Sequence, residues 1–218
     1  TLFVPIDTLP PNADAGPAKS LTCTNTQLAL DGNSSTQNVA YAWSSATGGI
    51  LSGANSQTPT INEAGMYTVV VTQNQNGCTA ADVVVVGLDT VLPVLSIAQP
   101  AVLTCDLSNL NLQANATAPG AFTPSWSTLN GNIVSGSGSL NPMVDAPGVY
   151  LLQVQNAGNG CSDTVSVNVL ENVNPPVVDA GAVDTLTCTI QELNLNGSAT
   201  PAGVGFTYAW TATNGGQI

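Results

Sequence analysis

The sequence predicts an all-β fold made of tandem antiparallel β-sandwiches of about 83 residues each, and three observations lead there. Leu21-Thr22-Cys23 returns as Leu103-Thr104-Cys105 and Leu186-Thr187-Cys188, while Trp43 returns as Trp126 and Trp210. The recurring segments are short runs that alternate apolar and polar residues, the period of a strand with one wet face, and no window has a helical period. Gly, Pro, Asn and Ser break these runs at regular intervals. A repeat of this length is a small domain and far exceeds a solenoid turn.

Taken in order, residues 1–10 are expected to be the tail of a preceding repeat, because Val4-Pro5-Ile6-Asp7-Thr8-Leu9-Pro10 echoes the later junction Val86-Gly87-Leu88-Asp89-Thr90-Val91-Leu92-Pro93. Residues 11–92 form the first sandwich, with strand signals at Gln27 to Leu30, Val39 to Trp43, Met66 to Gln73 and Asp82 to Val86. Residues 93–175 form the second, with signals at Leu110 to Leu112, Phe122 to Trp126, Val149 to Gln155 and the alternating Val165 to Val169. Residues 176–218 carry the opening strands of a third, incomplete copy. The turns recur as well: Gly53 matches Gly136, Pro59 matches Pro142, and Asn76-Gly77-Cys78 matches Asn159-Gly160-Cys161, an Asn-Gly hairpin signal. A Trp on a central strand and a Gly-x-Tyr at Gly65 to Tyr67 and Gly148 to Tyr150 fit an immunoglobulin-like sandwich. The second cysteine lies 11 residues after Tyr67, where an antibody domain has it two residues after, so the disulfide is the repeat's own.

Five cysteines follow the repeat. Their spacing, 55 and 56 residues, predicts one disulfide per domain, Cys23 with Cys78 and Cys105 with Cys161, and leaves Cys188 with a partner beyond the sequence, near position 244. Each bridge would stabilise its domain by roughly 4 kcal/mol. Clustered Cys-x-x-Cys or Cys/His sets for zinc are absent, so the pairs point to an oxidising, extracellular compartment.

Charge excludes several functions. Thirteen acids face a single base, Lys19, with no His, for a net charge of -12. Nucleic acid and anionic lipid headgroups both demand clustered Lys and Arg, so neither is an expected partner. No stretch reaches the roughly 18 uninterrupted apolar residues of a membrane span. Without His or Arg, and with no Ser or Cys beside an activating base, no catalytic residue is predicted.

Pro11-Asn12-Ala13-Asp14-Ala15-Gly16, Leu21-Thr22-Cys23, Leu28-Ala29-Leu30-Asp31-Gly32, Tyr41-Ala42-Trp43, Gly65-Met66-Tyr67-Thr68-Val69 and Gly77-Cys78-Thr79-Ala80, in this order and repeated, resemble the PKD-like and Ig-like repeats of giant secreted bacterial surface proteins. Those are adhesins and gliding-motility-associated proteins exported by type IX secretion. The resemblance covers essentially the whole chain. It departs from the PKD pattern where Ser44-Ser45 and Ser127-Thr128 replace an aromatic and a Gly-Asp-Gly turn after the Trp, and where Ser96-Ile97-Ala98 stands for the Asp-Ala-Gly of the other copies. It implies a structural or adhesive region displayed outside the cell and able to assemble into a fibre. Its partners would be neighbouring repeats, further copies of the chain, or surface glycans and other cells. A carbohydrate-binding or spacer module of a secreted hydrolase is the alternative. Trp43, Trp126, Tyr67 and Tyr150 could form a sugar platform, but their fixed positions on strand-like runs place them in the core.

Four further candidates arise. Thr8, Thr90, Thr164 and Thr185 each sit in an Asp-Thr-apolar triplet that resembles a bacterial O-glycan acceptor, and Asn33, Asn115 and Asn196 head Asn-x-Ser/Thr sequons. No cofactor is expected, except that junction acids Asp7, Asp89 and Glu171, with Asp14 and Asp179 nearby, could contribute to interdomain calcium. Lys19 could suggest an isopeptide crosslink, but Ala101 and Asp184 at the equivalent positions favour a solvated side chain.

Overall fold

The computed structural model describes residues 6–200, 206–215 and 217–218, so the Val4-Pro5 part of the junction echo lies outside the described residues. The chain divides into a unit ending at Glu171 and a unit from Asn172 to Ile218. All regular structure among the described residues is β, and the architecture is a tandem of Ig-like sandwiches.

In the first repeat the strands are β1 (Lys19–Thr22), β2 (Leu28–Ala29), β3 (Val39–Ser45), β4 (Ile50–Ser52), β5 (Thr60–Ile61), β6 (Gly65–Gln73) and β7 (Thr79–Asp89). One sheet has the order β1-β7-β6-β3, and the facing sheet the order β2-β5-β4. The alternation in β6 sends Tyr67, Val69 and Val71 inward, each fully buried, and they meet Trp43 from β3, Ile61 from β5 and Val84 and Val86 from β7. Burying such β-branched and aromatic side chains is the main favourable contribution to folding.

The second repeat runs β8 (Val94–Ile97), β9 (Leu103–Thr104), β10 (Leu110–Asn111), β11 (Ala114–Thr117), β12 (Phe122–Thr128), β13 (Ile133–Ser135), β14 (Met143–Val144), β15 (Gly148–Asn156) and β16 (Ser162–Val169). Its core, Leu112, Trp126, Val144, Tyr150, Leu152, Val154 and Val169 among others, shares no member with the first. The chain continues into β17 (Glu171–Asn172), and the second unit holds β18 (Val177–Asp179) paired with β19 (Ser198–Thr200).

Two features anchor both sandwiches. The Trp43 indole N–H donates to the Ser56 carbonyl at 3.0 Å, and Trp126 donates to Ser139 at 2.9 Å. The Tyr67 hydroxyl donates to the Glu63 carbonyl at 2.7 Å, as Tyr150 does to Ala146 at the same distance, the tyrosine corner of Ig-like sandwiches. Burial, then the Glu63 carboxylate, pushes the Tyr67 hydroxyl above its usual pKa, consistent with a phenol that stays protonated as a donor.

Among the described residues of the first repeat, one strand pair departs from antiparallel pairing. β1 runs parallel to β7, with Leu21 opposite Leu88 and Thr22 opposite Asp89. In the second repeat Leu103 N–H likewise donates to the Leu170 carbonyl at 2.8 Å. The short strands beside the first cysteine carry no sequence signature, because two to four residues show little periodicity.

One acidic side chain on β7 holds the segment that leads into the first repeat. Asp82 accepts from the Ala15 N–H at 2.7 Å and from the Val83 N–H, and in that order these bonds hold its carboxyl below the ordinary carboxylate range. A depressed folded pKa stabilises the fold fully above the unfolded value of about 3.9, and the contribution is lost as pH falls through the folded value. Asp82→Asn should therefore lower first-repeat stability modestly at pH 6 and converge with wild type at the acid end of a denaturant series from pH 6 to 2. A constant difference across that range would count against this role.

Candidate functional site

The junction between the two repeats is the site where recurring residues from different domains meet. Cys23 is bonded to Cys161, 138 residues away, with 5.0 Å between their Cα atoms. This corrects the expected pairing of Cys23 with Cys78 and of Cys105 with Cys161, and with it the expectation of one disulfide inside each domain. The reason is geometric. Because β1 is parallel to β7, Cys23 follows the residue opposite Asp89 at the end of β7, whereas Cys78 immediately precedes Thr79 at its start. An 11-residue strand separates those ends by about 33 Å, far beyond the roughly 7 Å a disulfide can span. Consecutive repeats connect tail to head, so the turn at the exit of one lies beside the hairpin at the entrance of the next.

Local chemistry builds both halves. After β1 the chain turns back through Thr22 N–H to the Asn25 carbonyl at 3.0 Å, and Asn25 N–H donates to the Thr22 hydroxyl at 3.0 Å, which presents Cys23 at the apex. On the other side, Gly160 at φ 71° closes the hairpin between β15 and β16, and Cys161 N–H donates to the Asn159 side-chain oxygen at 2.9 Å. The Asn159 amide then reaches the linker, donating to Asp89 Oδ1 at 2.8 Å and to the Val91 carbonyl at 3.0 Å. Asn159 is only 1% exposed, so these bonds satisfy a polar group that would be costly to leave unpaired. Thr24 packs so closely on Gly160 that a Cβ there would collide with it.

Asn159 was missed as a site residue. Its signal was present, since Asn precedes Gly-Cys in both repeats and an acid recurs at each junction, but nothing local says the two meet.

Gly77 and Gly160 give a paired test. Both lie at positive φ, so an alanine costs about 1–2 kcal/mol at either. Gly160→Ala should destabilise the junction by a further 1–3 kcal/mol or so through its collision with Thr24, and should speed reduction of Cys23–Cys161 by dithiothreitol. Gly77→Ala should not. Equal reduction rates in the two variants would contradict the contact.

The other candidates fall as follows. Trp43 and Trp126 are 5% exposed and Tyr67 and Tyr150 fully buried, which places all four in cores and gives no sugar platform from them. Thr8, Thr90, Thr164 and Thr185 are exposed. Asp14 accepts from Gly16 N–H at 2.8 Å and Asp179 from Gly181 N–H at 2.9 Å, so both Asp-Ala-Gly motifs are turns. Asp7 accepts from Leu9 N–H at 3.2 Å, Asp89 is engaged by Asn159, and Glu171 is exposed. Among the described residues no three His, Cys, Asp or Glu side chains come together. Lys19 is not merely solvated: its ammonium pairs with Asp31 at 2.7 Å and donates to the Ala29 carbonyl. Cys78 is half-buried, and Cys105 and Cys188 are exposed.

No family model matches the chain, and no curated protein matches it. Solved structures similar to it are tandem-domain proteins. The three N-terminal domains of the bacteriophage RB49 Highly Immunogenic Outer Capsid protein match with a TM-score of 0.43 and 14% identity over 74% of this chain and 59% of that one. Extracellular domains 3-5 of Drosophila OTK match at 0.38 and 13%, over 75% and 62%. The N-terminal eight Ig domains of Down Syndrome Cell Adhesion Molecule match at 0.41 and 14%, over 73% and 27%. The chain thus spans about three-fifths of the first two.

Proposed function

We propose that this chain is a structural or adhesive repeat region of a large extracellular bacterial surface protein, of the adhesin or gliding-motility-associated type. The observation that carries this reading is the disulfide between consecutive repeats, reinforced by the buried Asn159. A bond so placed restrains bending between domains, which is useful in a spacer or fibre under load. It also forms and persists in an oxidising compartment, outside the cytosol. The residues that recur serve core, turn and junction, and a neutral coat of Asn, Thr, Ser and Gln keeps the array hydrated.

Antibodies raised against the chain should label intact, non-permeabilised cells, and brief external protease should remove the label. Staining that needs permeabilisation would overturn the reading. The exposed Thr8 and Thr90 in equivalent linkers are proposed O-glycan acceptors, to be checked by intact-mass analysis of the native protein. A mass without hexose additions would remove that part alone.

A further inference from the structure

The two sandwiches share a fold but not an outer face. In β3, β6 and β7 the residues that alternate with the buried ones point away from the core, and in the first repeat many of them are apolar. Ala42, Val70 and Ala81 stand side by side in one row across the three strands, and Met66 stands beside Val85. Met66 is 57% exposed, Val85 56% and Val83 46%. At the same register in the second repeat the row becomes Ser125, Gln153 and Thr164, and Val83 and Val85 become Ser166 and Asn168. In β15 Val149 and Leu151 remain apolar, but Ser127, Ser166 and Asn168 flank them. The polar set supports the same sheet, so folding does not require the apolar one.

The neighbouring repeat does not cover this face. The junction joins strand ends, through the Cys23 turn and the hairpin at Asn159 to Cys161, whereas the face lies along the flank of the strands. It also carries no charge, in a chain of net charge -12. Asp82 turns inward to Ala15, Asp31 pairs with Lys19, Glu63 lies in the turn before β6, and Asp89 sits at the far end of β7 against Asn159. Two such acidic copies repel, so they approach closely only where carboxylates are absent. A cationic partner would find nothing here to pair with, and without an outward aromatic ring the face offers a sugar nothing to stack on.

We propose that the chain docks side by side on a second copy of itself through this face, the β3-β6-β7 surface of one packing on the β3-β6-β7 surface of the other about a two-fold axis. The inference goes beyond the end-to-end array described above by adding lateral association. A two-fold axis brings the same residues together from both sides, and small Ala and Thr beside Val and Met let the two faces interdigitate with the sheets about 10 Å apart. β6 and β7 pair over eight residues, and β3 adds seven pairs. At about 3.4 Å per residue and 4.8 Å between strands, the face measures roughly 27 by 14 Å. Two copies then bury on the order of 1,000 Å² together, the size of a weak, reversible interface. Weak single contacts suit an array, because chains held at more than one point gain by avidity.

Sedimentation velocity of the full chain, its free thiols blocked with iodoacetamide, should show a monomer at about 10 μM and a growing dimer fraction towards about 500 μM. Val83→Ser combined with Val85→Asn imports the polar types found at Ser166 and Asn168, and should move the midpoint about tenfold higher in concentration. Leu51→Ser, on the facing sheet, should not move it. Recovery of Cys23–Cys161 peptides and an unchanged circular dichroism spectrum would show that the double variant keeps its fold. Raising salt from about 0.15 M to about 1 M should strengthen the dimer, since screening removes the repulsion between acidic chains and leaves the apolar contact. A chain monomeric throughout, a dimer that the double variant leaves intact, or one that salt dissolves would each overturn the proposal. So would flotation of monomeric wild type, but not of the double variant, with phosphatidylcholine vesicles, which would give the face to a lipid surface. Labelling of intact cells would stand in all those cases, so the two readings fail separately.

Discussion

Reducing Cys23–Cys161 is expected to lower the stability of whichever repeat unfolds first by about 4 kcal/mol and to resolve one merged thermal transition into two. The two cores share no residue, so either repeat can unfold while the other stays native. With the bond intact, unfolding one repeat leaves a loop of roughly 70 residues pinned at both ends by the folded neighbour, and pinning a loop of that length removes about 4 kcal/mol of chain entropy. Unfolding the second repeat then enlarges the loop to the full 138-residue separation, which costs only about 0.6 kcal/mol more, because closure entropy grows with the logarithm of length. The bond therefore protects the first event far more than the second, and draws the two together. For a domain of this size the loss on reduction corresponds to a fall of about 20 °C in the lower transition. Calorimetry with and without dithiothreitol, repeated on Cys161→Ser, would measure it. Superimposable traces would mean that the bond lies outside the cooperative structure.

Trp126→Ala should cost the second repeat about 3–5 kcal/mol and leave the first repeat folded. Trp126 is 5% exposed within the cluster of Leu112, Val144, Tyr150, Leu152 and Val154, and its loss leaves both a cavity and an unpaired Ser139 carbonyl. That cost is a large share of the stability of a domain of some 83 residues. Because β15 and β16 carry the Asn159-Gly160-Cys161 hairpin, their loss should also release Asn159 from Asp89 and Val91. Limited proteolysis should then leave a resistant fragment spanning the first repeat, while cleavage spreads through residues 93–171. Simultaneous digestion of both repeats would show that the cores are not independent.

Much of the fold was legible because it is written in local patterns. The inward residues of β6 and β15 alternate with outward ones, and Tyr67, Tyr150, Trp43 and Trp126 stand where a sandwich core needs large side chains. The short partners β1 and β9, and hence the parallel pairing of Leu21 with Leu88, were not legible, since a few residues show no period. That one pairing governs the candidate site. It moves Cys23 to the end of the sandwich opposite Cys78, and the spacing of 55 residues within a repeat had suggested the reverse. Asn159 was similarly hidden, because its importance comes from a linker 68 to 70 residues earlier in the chain.

The sequence by itself determined the repeat, its strands, its buried aromatic residues and its hairpin turns, because side-chain periodicity and turn chemistry act between neighbours along the chain. Only the tertiary structure decided which cysteines join and that the junction is the site. Disulfide connectivity depends on which strand ends come within a few ångströms of each other in space, and a repeat offers every cysteine more than one partner at a plausible separation along the chain.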